Sequence, residues 1–305
     1  MEVLKTEAIN LSLSGHKILD DVSVSIGKGS VCGLIGYNGA GKTTLFKVIT
    51  GLNTKYSGKV YLFGQTACNK GCEKLGIVMD DIDPFPGSSV KSYFHKICEA
   101  NGAFRIEGES PVTYSEQELL ELVGMYEHRN KKIRELSLGM KQRLKIACAL
   151  TGGTELLLLD EPFNAIDPQG KNGIELILRK LARSGCTVLV SSHEIGELIK
   201  LADDFLVMHK GRITASFASS ELSETKQTKY VIRTKDASSV LTGLASRNGL
   251  LCQPSGPSEV YVCGISDDDE WSAICAEEGI DIADTHAALM NEEELLRWYM
   301  EGHKR

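Results

Sequence analysis

A glycine-rich stretch, GYNGAGKTT at residues 36–44, contains residues whose types and spacing suit the binding of phosphate groups. It matches the pattern G-x-x-x-x-G-K-[ST], follows the apolar run VCGLIG and precedes a predicted helix. A side chain at Gly39 or Gly41 would keep backbone amides from approaching a β-phosphate. Lys42 would neutralise charge on the β- and γ-phosphates, and Thr43 would coordinate magnesium. Phosphates in this arrangement belong to a bound nucleotide, and the residues predicted to bind it are Gly36, Asn38, Gly39, Ala40, Gly41, Lys42, Thr43 and Thr44.

Two consecutive carboxylates, Asp160 and Glu161, end the apolar run LLLLDEP. A buried pair of like charges would repel, so such a pair is normally avoided unless a cation lies nearby. A magnesium ion would supply that cation. We therefore predict that Asp160 serves the metal through water, and that Glu161 is the general base that polarises an attacking water. Acidic residues are also common as turn caps at strand ends, and for this stretch alone that alternative stays open.

His193 ends the apolar run CTVLVSSH, just as Gly36 and Asp160 end their own apolar runs. Ligands of an open parallel sheet bind outside the carboxyl ends of its strands, so the three residues are expected at one edge. His193 would sense the γ-phosphate of a nucleotide bound at Lys42. The predicted catalytic residues are therefore Glu161, His193 and Lys42. A lone histidine is more often a satisfied surface or core residue, which is the alternative for His193.

The stretch RELSLGMKQRL at residues 134–144 places a Ser-Leu-Gly-Met turn in front of a basic helix. The first backbone amides of a helix have no partner within it and together carry about half a positive charge. They are satisfied either by a capping side chain or by a bound anion. Ser137 could supply the cap, and the stretch alone leaves both alternatives open.

The order of the predicted elements indicates an α/β fold with a doubly wound core. The strands ELLLLD and CTVLVSSH flank the helix GKNGIELILRKLAR, which is the βαβ pattern of a parallel sheet. A helical subdomain is inserted at about 87–150, where Ser115 and Glu118 form a predicted capping box. These elements make up a core domain at 1–218.

A second, smaller domain is predicted after the polar stretch SSELSETKQTK, which reads as a linker. This accessory α+β domain spans 225–305, with the order βαββαβα and strands near 229–233, 258–263 and 280–283. A chain of 305 residues also favours one large domain plus a small one.

Composition argues against several classes of protein. The formal charge of -7 disfavours a nucleic-acid surface, which needs a basic face to neutralise phosphates, so no nucleic acid is expected as a partner. The nine cysteines lack regular spacing and suit reduced packing residues better than a disulfide framework. No apolar run approaches the roughly 20 residues that span a bilayer, so the chain itself is expected to be soluble.

These motifs resemble the ATP-binding subunit of an ATP-binding cassette (ABC) transporter over about residues 1–215. LSLGM resembles the signature turn of that family, usually Leu-Ser-Gly-Gly-Gln, and NAID resembles the loop that crosses between protomers. The resemblance implies a P-loop NTPase core of ABC type that binds ATP and Mg²⁺. It also implies that Ser137 and Gly139 bind the γ-phosphate of ATP held by a second copy of the domain, with Asp167 next to that opposing site.

This chain departs from the family pattern at two motifs, and the first departure indicates one branch of the family. Leu138 and Met140 replace the usual Gly and Gln of the signature, a variant that resembles the bacitracin-resistance and lantibiotic-immunity branch. Asp80 stands where the family has a glutamine. The glutamine's role does not transfer directly to a carboxylate, but Asp80 joins Thr43 and Asp160 as a candidate magnesium ligand.

The resemblance implies an ATP-binding and ATP-hydrolysing subunit that forms a homodimer on ATP and powers a separate integral membrane permease. An exporter of peptide antibiotics or similar amphiphiles is the predicted transporter. Such a subunit lies at the cytoplasmic face of the cell membrane, attached through the permease. One alternative is a soluble ABC-type ATPase of translation or DNA repair, although the tandem cassettes or long coiled-coil insertion expected of one are absent. Another is a nucleotide-dependent regulatory or switch module with little turnover.

Overall fold

The computed structural model describes residues 2–66, 74–79, 85–100, 115–244, 247, 250–256, 258–265 and 267–302. The fold is α/β, as predicted, and the chain divides into two compact units, Met1–Ser219 and Ser220–Arg305. Each unit has its own sheet or sheets and its own apolar core.

The first unit contains two sheets and the helices that pack on them. Its strands are β1 (Glu2–Leu13), β2 (His16–Gly27), β3 (Val31–Ile35), β4 (Ser57–Leu62), β5 (Gln65–Thr66), β6 (Leu75–Val78), β7 (Leu156–Asp160), β8 (Thr187–Ser192), β9 (Asp204–His209) and β10 (Arg212–Ala218). Its helices are α1 (Lys42–Ile49), α2 (Val90–Ala100), α3 (Glu116–Leu122), α4 (Leu138–Ala149), α5 (Pro168–Arg183) and α6 (Ile195–Leu201). Short 3-10 turns lie at Tyr126–His128 and Ile133–Glu135.

The central sheet of the first unit has six strands in the order β10-β9-β3-β8-β7-β6. The strands from β9 to β6 are parallel, and β10 is antiparallel to β9 at the edge. Every residue of β3, β7 and β8 is buried. Parallel strands covered on both faces read as continuous apolar runs, which explains the runs seen in the sequence.

The other sheet of the first unit is antiparallel, with the order β2-β1-β4-β5. One apolar cluster joins both sheets to α1 and includes Leu4, Phe46 and Leu158, none of which has any exposed surface. This cluster fixes α1 against the sheets, so the loop that precedes α1 is held at the end of β3.

The helical subdomain is formed by α2, α3 and α4, and both α2 and α3 pack against α4. The predicted capping box is confirmed at the start of α3. Ser115 Oγ accepts a 3.2 Å hydrogen bond from Glu118 N, and the Glu118 carboxylate accepts one of 2.7 Å from Ser115 N. The hydrogen bond from the Ser115 backbone N–H lowers the pKa of Glu118, because it stabilises the charged carboxylate.

The second unit has one antiparallel sheet with the strand order β12-β13-β11-β14. Its elements are β11 (Thr228–Arg233), α8 (Ala237–Leu244), β12 (Leu251–Gly256), β13 (Glu259–Cys263), α9 (Asp268–Glu278), β14 (Thr285–Leu289) and α10 (Glu292–Met300). The order βαββαβα is the predicted one. A further helix, α7 (Ser219–Glu224), covers half of the stretch that the sequence indicated as a linker.

The last strand of the second unit lies later than predicted. Residues Ile282–Asp284 form a 3-10 turn, and the strand begins only at Thr285. The side chain of Asp281 accepts a 3.0 Å hydrogen bond from Ala283 N, which bends the backbone where an extended strand was expected. The prediction of a strand near 280–283 was therefore wrong.

Candidate active site

Three predicted site residues lie at one edge of the central sheet, as their positions at the ends of apolar runs indicated. Strands β3, β8 and β7 are parallel neighbours, so their carboxyl ends lie side by side. Gly36 follows β3, Asp160 ends β7 and His193 follows β8. The backbone N–H of Gly36 donates a 3.3 Å hydrogen bond to the carbonyl of Ser192, which ties the glycine-rich loop to the end of β8.

Two glycines of the loop are required by its packing. A Cβ atom at Gly36 would lie 2.5 Å from the carbonyl oxygen of Met208, and one at Gly41 would lie 3.1 Å from the carbonyl oxygen of Ile18. Gly41 also has φ +112°, a conformation that L side chains rarely adopt. The reason for glycine at these positions thus includes close approach between backbone segments, which the sequence did not show. Gly39 has φ +83° and open space where a Cβ would be.

The glycine-rich loop presents some residues to solvent and buries others. Asn38, Gly39 and Thr43 are exposed, Thr44 is half-buried, and Ala40 and Gly41 are buried. Helix α1 begins directly after Gly41, whose carbonyl accepts a 2.9 Å bond from Leu45 N, and no side chain caps its N-terminus. A helix start of this kind, next to a glycine-rich loop, is a site where backbone amides can bind phosphate oxygens.

Lys42 is a buried cation, with only 5% of its surface exposed. Its Nζ atom donates hydrogen bonds to the carbonyl oxygens of Gly36 at 2.5 Å and Tyr37 at 3.3 Å. It also forms an ion pair with Glu161 Oε1 at 3.1 Å. A buried ammonium needs such partners, and a phosphate oxygen entering this loop would be a further one.

Thr43 and Asp160 form the second contact between α1 and the sheet. Thr43 Oγ1 donates a 2.7 Å hydrogen bond to Asp160 Oδ2. The other carboxylate oxygen, Oδ1, accepts a 2.6 Å bond from Ser191 Oγ. Hydroxyl and carboxylate oxygens are the ligands that Mg²⁺ prefers, so this pair fits a magnesium ion. No group of three or more His, Cys, Asp or Glu in the described part of the chain could hold a metal ion by itself.

Glu161 lies between Lys42 and His193. Its Oε2 atom is 2.9 Å from Nδ1 of His193, and its backbone N–H donates a 3.0 Å hydrogen bond to Ser191 Oγ. The φ angle of Glu161 is +49°, which costs a non-glycine residue about 1–3 kcal/mol. Its carboxyl group thus contacts two residues, Lys42 and His193, at a strained point of the backbone. Strain of this kind is typical of functional sites.

Ser191 is a site residue that the sequence analysis missed. Its side chain is completely buried and contacts both predicted acidic residues, Asp160 through the carboxylate and Glu161 through the backbone. A signal was present, because a hydroxyl residue inside a buried apolar strand needs a polar partner. The run CTVLVSSH contains two such residues, Ser191 and Ser192, and the pattern alone does not distinguish them.

A second group of predicted residues lies where α4 and α5 begin. Ser137 caps α4, since its Oγ atom accepts a 3.2 Å hydrogen bond from Met140 N. Gly139 faces α5 so closely that a Cβ there would lie 3.3 Å from the Cα of Gly170. Asp167 is exposed at the N-cap of α5 and makes no side-chain capping bond. The capping alternative for Ser137 is thus realised, and its predicted contact with a second copy stays a prediction.

Asp80 lies outside the described residues.

Comparison with known proteins gives one consistent family. The family model described as ABC transporter matches residues 19–164. The lantibiotic transport ATP-binding protein SrtF of Streptococcus pyogenes is 33% identical over 211 residues, which cover 69% of this chain and 89% of SrtF. The bacitracin transport ATP-binding protein BcrA of Enterococcus faecalis is 34% identical over 233 residues, covering 75% of this chain and 73% of BcrA.

Solved structures agree with this result. A nucleotide-free ATP-binding cassette from an ABC transporter is 28% identical, with a TM-score of 0.63, over 72% of this chain and 92% of that chain. The cassette cbiO1 of Clostridium perfringens, part of the ABC transporter complex cbiONQ, is 28% identical with a TM-score of 0.61, over 72% of this chain and 90% of that chain.

The fold and the site therefore define an ATP-binding cassette, and the chain belongs to the ATP-binding subunits of ABC transporters. Its similarity to SrtF and BcrA confirms the resemblance to the bacitracin and lantibiotic branch that Leu138 and Met140 indicated. Cassettes of this family are nucleotide-binding ATPases coupled to transport, so the chain is an ATPase, as predicted. None of the helices in the described ranges is long and apolar enough to cross a membrane.

Proposed function

We propose that two copies of this chain close around two ATP molecules and that ATP hydrolysis then drives a separate integral membrane permease. The observation that carries the proposal is that five side chains suited to bind and hydrolyse a nucleoside triphosphate meet at one edge of the central sheet. They are Lys42, Thr43, Asp160, Glu161 and His193.

Each of the five side chains has a distinct role in this proposal. Lys42 exchanges its carbonyl and carboxylate partners for phosphate oxygens, which leaves Glu161 Oε1 free to accept a proton from the attacking water. His193 orients Glu161 through the 2.9 Å contact and senses the γ-phosphate. Thr43 and Asp160 hold magnesium, with Asp80 as a further candidate ligand. When bound, the ion neutralises phosphate charge.

The partner subunit completes each site in this proposal. Ser137 and Gly139 of one copy contact the γ-phosphate of ATP held by the other copy, and Asp167 lies next to that opposing site. The exposure of Ser137 and Asp167 supports this arrangement, because both residues are accessible to a second chain.

The transported substrate is proposed from the relatives. SrtF is named for lantibiotic transport and BcrA for bacitracin transport. We propose that this chain likewise powers an exporter of peptide antibiotics or similar amphiphiles, and that it lies at the cytoplasmic face of the cell membrane, bound through its permease. The cargo would then contact the permease and not this chain.

Phosphate release by the purified full-length chain tests the proposal directly. Hydrolysis should require both ATP and Mg²⁺, and it should be lost in Lys42→Met but not in Lys47→Met, a control on the same helix. Gel filtration with ATP should show a dimer. Binding of ATP without phosphate release would contradict the proposal and favour a nucleotide-dependent regulatory module.

A further inference from the structure

An ion pair links the first turn of α5 to the residue that follows His193. Lys171 Nζ lies 2.5 Å from Glu194 Oε2 and 3.6 Å from Glu197 Oε1. The hydrogen bond to Glu194 raises the pKa of Lys171, so the ammonium remains charged at neutral pH. The lysine side chain is only 16% exposed. The contact therefore joins α5 to the corner between β8 and α6 through a largely enclosed cation.

The same corner holds Glu161 from the other side. Ser191 Oγ accepts the bond from Glu161 N, and His193 Nδ1 contacts the Glu161 carboxylate. The corner itself is fixed by a 2.9 Å hydrogen bond from Glu194 N to Ser192 Oγ. The segment that runs from Glu161 to Lys171 is thus attached at both of its ends to residues 191–197.

The segment between these two attachments, residues 161–171, carries two predicted site residues whose positions must be fixed for hydrolysis. It contains the predicted base, Glu161, at its start and the predicted crossing residue, Asp167, near its end. Lys171 N donates a 3.0 Å hydrogen bond to the Asp167 carbonyl, so the ion pair lies within one helical turn of Asp167. Displacement of α5 relative to α6 would change the alignment of Glu161 and His193.

We propose that Lys171 and Glu194 are positioning residues for ATP hydrolysis, which hold His193 and Glu161 in register by joining α5 to the corner between β8 and α6. This inference rests on the proposed function of Glu161 and His193. In this proposal neither Lys171 nor Glu194 contacts the nucleotide. Their replacement should therefore change the rate of hydrolysis more than the affinity for ATP.

Arg179 provides a matched control on the same helix. It forms a 3.0 Å ion pair with Glu175 and donates a hydrogen bond to the carbonyl of Lys200, at the other end of α6. Arg179→Met therefore removes a comparable link between α5 and α6 that lies away from His193. A purely structural role for Lys171 predicts the same result for Lys171→Met and Arg179→Met.

The test measures kcat and KM for ATP, equilibrium ATP binding in EDTA, and Tm for full-length variants. Lys171→Met should lower kcat about tenfold, the scale expected for a small misalignment of reacting groups, and change ATP affinity less than threefold. Lys171→Arg should recover most of kcat, because it restores the cation. Arg179→Met should lower Tm by a similar amount and leave kcat within twofold of the wild type.

A double-mutant cycle assigns the effect to the pair. Lys171→Met should cost much less kcat in a Glu194→Gln background than in the wild type, although Glu197 keeps part of the interaction. Equal effects of Lys171→Met in both backgrounds, or equal kcat losses in Lys171→Met and Arg179→Met, would overturn the inference. If Glu161→Gln hydrolyses ATP normally, the proposed base is wrong; if Glu161→Gln is inactive and Lys171→Met is normal, only the positioning role fails.

Discussion

The Nδ1 atom of His193 lies 2.9 Å from Oε2 of Glu161, although 32 residues separate the two in the chain. The contact exists because β7 and β8 are parallel neighbours that end at the same height in the sheet. Glu161 also pairs with Lys42, so the predicted base, the predicted γ-phosphate sensor and the predicted phosphate-binding lysine form one connected group. Its members can be tested one at a time.

Replacement of Glu161 by Gln should retain ATP binding and abolish most turnover. The amide keeps the shape of the carboxylate but cannot accept a proton, so kcat should fall by about 100-fold or more. Phosphate release measures the loss, and gel filtration with ATP and Mg²⁺ should show a stable dimer. Unchanged hydrolysis would mean that another residue, such as Asp167, is the base.

Removal of the His193 imidazole should slow hydrolysis without preventing ATP binding. His193→Ala removes the contact that is proposed to orient Glu161, so kcat should fall, since a correctly positioned general acid or base contributes about 10²–10⁴-fold to a rate. The control is His286→Ala, which changes an exposed histidine of the second unit and should keep wild-type kcat. A His193→Ala protein with normal kcat would show that the histidine is only a satisfied surface residue.

Ser191→Ala should weaken the binding of Mg²⁺ more than the binding of ATP. Ser191→Ala removes the 2.6 Å bond to Asp160 and the acceptor for Glu161 N, so the Mg²⁺ concentration for half-maximal hydrolysis should rise about tenfold. The loss of a buried hydrogen bond should also lower the free energy of unfolding by about 1–3 kcal/mol.

The control for Ser191 is Ser184→Ala, which removes a 2.8 Å bond to the carbonyl of Leu181 at the end of α5. It should change stability only. A Ser191→Ala protein with an unchanged Mg²⁺ requirement would show that Asp160 needs no support from β8.

The signature turn can be tested with subunits that carry different lesions. Ser137→Asp keeps a good N-cap for α4 but places negative charge where a γ-phosphate of the partner's ATP would bind. Gly139→Asp is unsuitable, because its Cβ would already crowd Gly170 within the same chain. Homodimers of Ser137→Asp and of Lys42→Ala should both be nearly inactive.

An equal mixture of these two variants should recover activity if sites are shared between copies. Random exchange makes half of the dimers mixed, each with one complete site of two, so about a quarter of wild-type turnover is expected for independent sites. ATP-induced dimerisation is scored in the same mixture, since turnover could require two complete sites. With subunit exchange verified, the absence of both would mean that Ser137 is a helix cap only.

A truncated chain of residues 1–219 should unfold cooperatively and bind ATP. The apolar cluster of the first unit is built entirely from residues of that unit, and every predicted phosphate-contacting residue lies within it. Circular dichroism in urea measures the transition, and equilibrium binding measures the affinity. A truncated chain without a cooperative transition would show that the predicted domain boundary is wrong.

The sequence allowed prediction of those parts of the site that lie at the ends of apolar strands. Gly36, Asp160 and His193 could be placed together because continuous apolar runs identify parallel strands, and such strands end at a common edge. The role of Ser191 could not be predicted, because two adjacent serines differ only in the direction in which the strand turns each side chain. The contact of Gly139 with Gly170 was also invisible, since it depends on the packing of α4 against α5.

Predictions of local structure failed where a single side chain changed the backbone. Asp281 bonds to Ala283 N and forms a turn where a strand near 280–283 was expected, so the strand lies at Thr285–Leu289 instead. By contrast, the capping box of Ser115 and Glu118 was predictable, since it depends only on residues three positions apart.

The close approach of Gly139 to Gly170 has a consequence for the mutational tolerance of the signature turn. Leu138 is 56% exposed, whereas a Cβ at the next position would lie 3.3 Å from both Gly170 Cα and Ile166 Cγ2. Saturation mutagenesis with protein abundance as the readout should therefore give different results at these two adjacent positions. Most substitutions at Leu138 should leave abundance unchanged, whereas large side chains at Gly139 should lower it. That contrast would appear even in cells where transport is not under selection.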